Sequence, residues 1–318
     1  MAQFDLLTIG DSTVDIFTFP EKMDVHCQLH GKGTECELCL TTASKVPTKG
    51  FVLTFGGGGA NVSVGSSRLG LKTVTYTHLG DDLFGKELLE NFKKEGVDTS
   101  LVNLDREHAT NVNIVISHEA ERTILTSHEK REYELPQPDA RWVFLSSLGP
   151  GADLLYDPLA DYVREKGTKL VFAPGSYQVK SGLHGYRSLL TVCEVFIVNR
   201  EEAGQLLHTN SLDSERNLTA KLRALGPKIV VITDGPHGSY AYDGTNFLFQ
   251  PASPLKAIER TGAGDAFASG LTVALTLGKT LKEALKWGTV NAGAVTREIG
   301  AQAGLLMRKD LEREVERL

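Results

Sequence analysis

Arg260-Thr-Gly-Ala-Gly-Asp-Ala-Phe-Ala-Ser-Gly270 decides how the rest of this sequence is read. Gly262, Ala263 and Gly264 are small enough to leave their backbone N–H groups accessible to an anion. The small apolar residues that follow predict a buried helix over Gly264–Leu277. A helix N-terminus carries unpaired N–H donors and the positive end of the dipole, so it suits a phosphoryl group in transfer. Asp265 falls in the first turn, where an ionised carboxylate accepts a proton from an attacking hydroxyl. Phosphoryl transfer asks mainly for positioning and charge stabilisation. The plainer reading makes Asp265 a helix cap and the glycines packing residues.

Upstream of this segment, strand and helix patterns alternate. Leu6–Ile9, Thr73–Leu79, Trp142–Leu145, Lys169–Ala173, Val195–Val198 and Lys228–Thr233 read as strands. Helices are expected over Ala60–Leu69, Phe84–Lys94 and Leu281–Arg297. Such alternation predicts a parallel sheet covered on both faces. Two regions depart from it. Phe17–Phe55 is long and polar, and Asn111–Ser127 alternates apolar and polar residues about a His118–Glu121 turn, as a half-exposed hairpin does. Together they predict a small sheet standing off the main domain as a lid.

Three further motifs bear on chemistry. Gly56-Gly-Gly-Gly-Ala-Asn61 precedes a helix; its glycines permit close backbone approach to a ligand, and Asn61 offers a carboxamide to a hydroxyl. No register of it gives G-x-G-x-x-G, which argues against a dinucleotide oxidoreductase. Gly80-Asp-Asp-Leu-Phe-Gly-Lys86 has P-loop spacing, but Glu87 replaces the required Ser or Thr, so it reads as a turn with acidic caps. Asn199-Arg-Glu-Glu202 has capping-box spacing; the functional alternative turns Asn199 and Glu202 toward nucleotide phosphates and magnesium.

Composition sets outer bounds. The chain has 318 residues, 41% of them hydrophobic, enough for one large α/β domain with a small appendage. A formal net charge of -6 offers no basic face for nucleic acid or an anionic membrane. No stretch approaches a membrane span, and Met1–Ser12 lacks a basic start and a long apolar run, so a cytoplasmic location is expected. His26, Cys27, His30, Cys36 and Cys39 cluster in the insertion Glu21–Gly50. A structural zinc site on Cys27, Cys36 and Cys39 is one expectation for them; reduced thiols or a disulfide are the others.

In their order along the chain, the Gly56–Asn61 run, the Asn199–Glu202 pair and Gly262-Ala-Gly-Asp265 resemble the ribokinase-like (PfkB) carbohydrate kinases over essentially the whole chain. The resemblance implies a doubly wound, three-layer α/β domain spanning 1–318, with a β-sheet lid formed by about 16–55 and 98–130. It implies a phosphotransferase that uses ATP and Mg2+ on an alcohol group of a sugar. Asp265 matches the family's base, and Gly262, Ala263 and Gly264 match its anion hole. Asp15, Gly56, Gly57 and Asn61 match substrate contacts. Asn199, Thr233, Gly235, Gly238 and Asn291 match nucleotide contacts, and Glu202 the magnesium position.

Some features depart from the family pattern. Glu259-Arg260-Thr261 stands where Asp-Thr-Thr is common, which argues against potassium activation and leaves Arg260 either as a contact for a phosphate or an acidic substrate or as a solvated surface residue. Gly58 replaces the lysine of ribokinases proper, which argues against ribose. Two other functions remain open. A nucleoside kinase of the same fold would need an apolar slot from lid residues such as Phe17 and Phe19. A non-catalytic sugar-binding protein would lack the base or the anion hole. An exposed lid has open edges, so a homodimer through paired lids is expected.

Overall fold

Successive residues of a strand point to opposite faces, so a strand covered on both sides must be apolar throughout. Val195 and Ile197 enter one core while Phe196 and Val198 enter another, and the same split divides Leu6 from Leu7 and Val143 from Phe144. The result is a sheet between two helical layers. The computed structural model describes residues 2–30, 33–118, 121–209 and 213–318. In chain order the strands are β1 (Phe4–Ile9), β2 (Thr13–Pro20), β3 (Asp24–His30), β4 (Gly33–Cys39), β5 (Thr48–Gly56), β6 (Thr73–Gly80), β7 (Asp98–Asp105), β8 (Asn111–His118), β9 (Glu121–Ser127), β10 (Ala140–Leu145), β11 (Lys169–Phe172), β12 (Cys193–Asn199), β13 (Ile229–Thr233), β14 (Ser239–Tyr242) and β15 (Phe247–Gln250). The helices are α1 (Gly58–Arg68), α2 (Leu83–Lys94), α3 (Asp153–Lys166), α4 (Ser176–Ser181), α5 (Arg187–Val192), α6 (Arg200–Leu207), α7 (Glu215–Arg223), α8 (Ala263–Thr276), α9 (Leu281–Val295) and α10 (Arg308–Arg317).

Among the described residues the large sheet has nine strands in the order β15-β14-β13-β12-β11-β10-β1-β6-β7. All are parallel except the β14–β15 hairpin at one edge. Helices α3 to α7 cover one face; α8, α9 and α10, with part of α1, cover the other. Strand order reverses at β1. Chain leaves β1 toward β6 on one side, while β10 lies on the other. In open α/β sheets, ligands bind at such a switch point, beyond the carboxyl ends of the strands.

The lid grows out of that point. Only Gly10–Ser12 separate β1 from β2, which pairs with β5 and β8 in a second sheet of order β5-β2-β8-β9. The hairpin expected over Asn111–Ser127 is β8–β9; Glu119 and Ala120 of its turn lie outside the described residues. Residues 98–105, placed with the lid on the strength of the family resemblance, instead form β7 at the edge of the large sheet. As an edge strand it is only partly covered along its length.

The insertion holds a separate ribbon, β3–β4, whose register sets Cys27 opposite Cys36. Their sulfurs form a disulfide, and Cys39 is a free thiol. This corrects the zinc expectation, because sulfurs bonded to each other are not thiolate ligands. Among the described residues, no three or more His, Cys, Asp or Glu side chains are placed to hold a metal, and no helix is long and apolar enough to cross a membrane. The P-loop-like segment is a turn, as expected: Asp82 caps α2 by accepting the Gly85 N–H, and Asp81 pairs with Lys86.

Candidate active site

Glycines bring the pieces of the site together. Gly10 ends β1 and Gly59 opens α1, and a Cβ on either would lie within 3 Å of the other's backbone, so strand end and helix start touch. Gly57 has φ 91 and faces the Asp11 carbonyl, which a Cβ would approach to 2.4 Å. Around this contact, residues 56–58 run between two carboxylates. A Cβ on Gly56 would lie 2.1 Å from Asp15 Oδ2, and one on Gly58 would lie 3.4 Å from Asp265 Oδ1. A floor of bare backbone thus joins the two acids. A Cβ on Gly58 would also lie 2.1 Å from Ser146 Oγ, which would have to turn away.

Each acid is held from behind. Asp15, buried on β2, accepts hydrogen bonds from Thr13 Oγ1 and from Asn113 Nδ2 on β8, both at 2.8 Å. Asp265, in the first turn of α8, accepts one from Asn61 Nδ2 at 2.8 Å. Asn61 is oriented in turn by Gln302 Nε2, which donates to its Oδ1 at 3.1 Å, and Asn91 Nδ2 donates to Gln302 Oε1 at 3.0 Å. Burial raises the Asp265 carboxyl above the usual carboxylate range; the Asn61 bond opposes this, and the charge of Asp15 adds to it. Burial likewise raises Asp15, against its two hydrogen bonds, and the charge of Glu259 pushes the same way.

The α8 N-terminus opens beside Asp265. Its cap, Gly262, takes the left-handed conformation, with φ 79, and packs so closely on Ala301 that a Cβ would lie 2.4 Å from that methyl. The Ala263 N–H bonds to the Arg260 carbonyl at 3.3 Å, so the donors left to the turn include those of Gly264 and Asp265. Of the three expected anion-hole positions, Ala263 therefore serves the turn itself. Glu259 is buried and fixes the approach: its carboxylate accepts from the Thr261 N–H at 2.8 Å and from the Thr261 hydroxyl at 2.7 Å. Arg260 is exposed.

The nucleotide candidates gather at the carboxyl ends of β12 and β13, where Asn199 and Thr233 are register partners. Asn199 and Glu202 do form the capping box: Asn199 Oδ1 accepts the Glu202 N–H, and Glu202 Oε2 accepts the Asn199 N–H, both at 2.8 Å. Burial raises the Glu202 carboxyl, and the charges of Glu201 and Asp265 add to that. Mg2+ commonly takes one or two carboxylates plus phosphate oxygens, and Glu202 is the carboxylate that would hold it here. Gly235, with φ 49, has open space where a Cβ would stand, whereas Gly238 is needed for packing, 2.4 Å from the Gln250 carbonyl.

Asn291 corrects the sequence reading. It is wholly buried, its Nδ2 donates to the Ala266 carbonyl and Ser269 Oγ, and its Oδ1 accepts the Leu306 N–H. It ties α9 to α8 and to the following loop rather than facing an adenine. Other residues escaped the sequence reading. Asp11 and His128 approach to 3.7 Å beside Asp15, and Gln302 orients Asn61. Asn113 had a signal, as a polar residue on the inward face of an alternating strand; Gln302 had none.

Residues 33–307 match the pfkB family of carbohydrate kinases. The chain is 26% identical to the ribokinase of Haemophilus influenzae, over 82% of this chain and 87% of that one. It is 27% identical to the 5-dehydro-2-deoxygluconokinase of Shouchella clausii, over 85% and 88%. Among solved structures, Arabidopsis thaliana ribokinase complexed with ribose and ATP superposes with a TM-score of 0.82 at 21% identity, covering 99% of both chains. The nucleoside kinase of Methanocaldococcus jannaschii, an archaeal member of the ribokinase family, gives 0.80 at 16% identity, covering 100% of both.

Proposed function

The chain belongs to the pfkB family of carbohydrate kinases, and from that premise we propose that it transfers the γ-phosphate of ATP to a hydroxyl of a small sugar, with Asp265 as the base. That it is a phosphotransferase acting on a hydroxyl acceptor follows from the family. The observation that carries the finer reading is the glycine floor between Asp15 and Asp265. A polyol lying on bare backbone keeps one hydroxyl bound at Asp15 and presents another to Asp265. Asp265 takes that second proton as the oxygen attacks in line, and the N–H groups at the start of α8 hold the phosphoryl oxygens. Glu202 would hold Mg2+, which when bound would neutralise phosphate charge. Lid closure removes water that would compete with the sugar.

A sugar fits better than a nucleoside. Phe17, one of the aromatic residues a base slot would need, is wholly buried, whereas Asp11, Asn111, Asn113 and His128 are polar neighbours of Asp15. A passive sugar-binding role is disfavoured, because the base and the helix N-terminus are both in place. Pairing of two lids is supported by the cross-strand row Leu53, Ile16, Ile114 and Leu125, in which Leu53 and Leu125 are 51% and 55% exposed.

A panel of pentoses, hexoses, sugar acids and nucleosides with ATP and Mg2+ tests the substrate class; turnover of nucleosides alone would reject it. Asp265→Asn tests the base. It is expected to lower kcat by about 10²- to 10⁴-fold with the sugar KM little changed. A loss under about 10-fold would assign the base elsewhere.

A further inference from the structure

Glu259 is a buried carboxylate whose surroundings the transfer chemistry alone does not account for. Its backbone N–H is fixed by the Thr296 carbonyl at 3.1 Å, and its side chain holds both polar groups of Thr261, the residue before the α8 cap. It also adds to the negative field at Asp15. A cation reaches it from the other sheet: Arg122 Nε, on β9 of the lid, lies 3.8 Å from Glu259 Oε1, with the arginine side chain 30% exposed and the carboxylate 4%. This ion pair therefore joins the lid directly to the turn that presents the phosphoryl-binding amides.

We propose that Arg122 is a positioning residue which latches the lid onto Glu259 and thereby ties sugar enclosure to the order of the Thr261–Asp265 turn. The inference rests on the kinase reading above for its catalytic consequences, though not for the latch itself. An open lid withdraws Arg122 and, among the described residues, leaves Thr261 to offset the desolvation of the buried Glu259 charge, so the pair favours closure. Closure in turn excludes water from the transfer site. The latch thus favours transfer to sugar over transfer to water.

Kinetics of the full-length protein test this with ATP, Mg2+ and the best sugar of the panel. Arg122→Ala is expected to raise the sugar KM by about 3- to 10-fold, the effect of one partly desolvated ion pair, and to leave the ATP KM within about 2-fold. It should also increase the ATP hydrolysed per sugar phosphorylated. Arg122→Lys, which keeps the charge without the planar fork, should recover part of both. The Arg122→Ala effect should shrink in a Glu259→Gln background. An Arg122→Ala enzyme with wild-type KM and wild-type coupling overturns the proposal, as does an equal effect in both backgrounds. Hydrogen exchange on the unliganded protein reads the latch without activity. Arg122→Ala is expected to speed exchange in β9 and in Thr261–Asp265 together; unchanged exchange in both sinks the latch whatever the substrate panel returns, and an inactive wild type with coupled exchange sinks only the kinase reading.

Discussion

Asp11 shows how the site burdens the fold at the scale of one residue. Burial pushes its carboxyl up to about 7 from an ordinary 3.8, against the opposing charge of Arg131 and a hydrogen bond from the Gly149 backbone. The folded state therefore binds a proton that the unfolded chain releases, and stability falls as pH rises from about 4 through about 7. Asp11→Asn removes that penalty. Its stabilisation should grow by on the order of 2 kcal/mol between pH 5 and pH 8, visible as a widening Tm difference from wild type. A difference independent of pH would mean that Asp11 is ionised throughout. Asp265 shares the direction of shift, with burial first and Asp15 second, so its activity limb should lie above the usual carboxylate range.

Elements were more legible than side chains, and the reasons are physical. The α8 start, the parallel strands and the β8–β9 hairpin could be read because periodicity reports burial, and burial defines them. Strand β7 fell within the lid bounds taken from the family resemblance, and nothing in a half-buried edge strand separates it from a lid strand. Asn291 misled because its role was carried over from the family resemblance, and position in a motif does not say whether a carboxamide faces a ligand or the neighbouring helix α8. The Cys36–Cys39 spacing pointed to metal, yet pairing was decided by the cross-strand register that sets Cys27 opposite Cys36. The glycine run was recognised by composition, but its two-carboxylate setting required the fold. That setting makes a prediction. Gly56→Ala places a methyl on Asp15, which is anchored by Thr13 and Asn113, at an overpacking cost of about 1–3 kcal/mol. The sugar KM should rise at least about 10-fold while the ATP KM changes less than about 3-fold. An equal rise in both would show that the run does not floor the sugar side.

At the scale of the molecule, three sheets carry different loads. Helices cover both faces of the large sheet, the lid packs one part of its face on α2, and among the described residues the β3–β4 ribbon pairs only with itself. The Cys27–Cys36 bond therefore closes a local loop. Replacing both cysteines by serine should leave the main unfolding transition within about 2 °C, since ordering lost in the ribbon is not shared with the large cores. A fall of about 5 °C or more would mean that the ribbon packs on the body as a structural part. The relay from Asn91 through Gln302 and Asn61 to Asp265 spans most of the chain in sequence. Arg68 fixes the backbone of its middle member, donating to the carbonyls of Gln302 and Leu305, both at 2.9 Å. During translation, a nascent chain that has reached residue 300 already holds both acids, the glycine floor and the helix start. It still lacks the group that turns the Asn61 carboxamide toward Asp265, so the ribosome must finish the segment at Gln302 before the base is aimed.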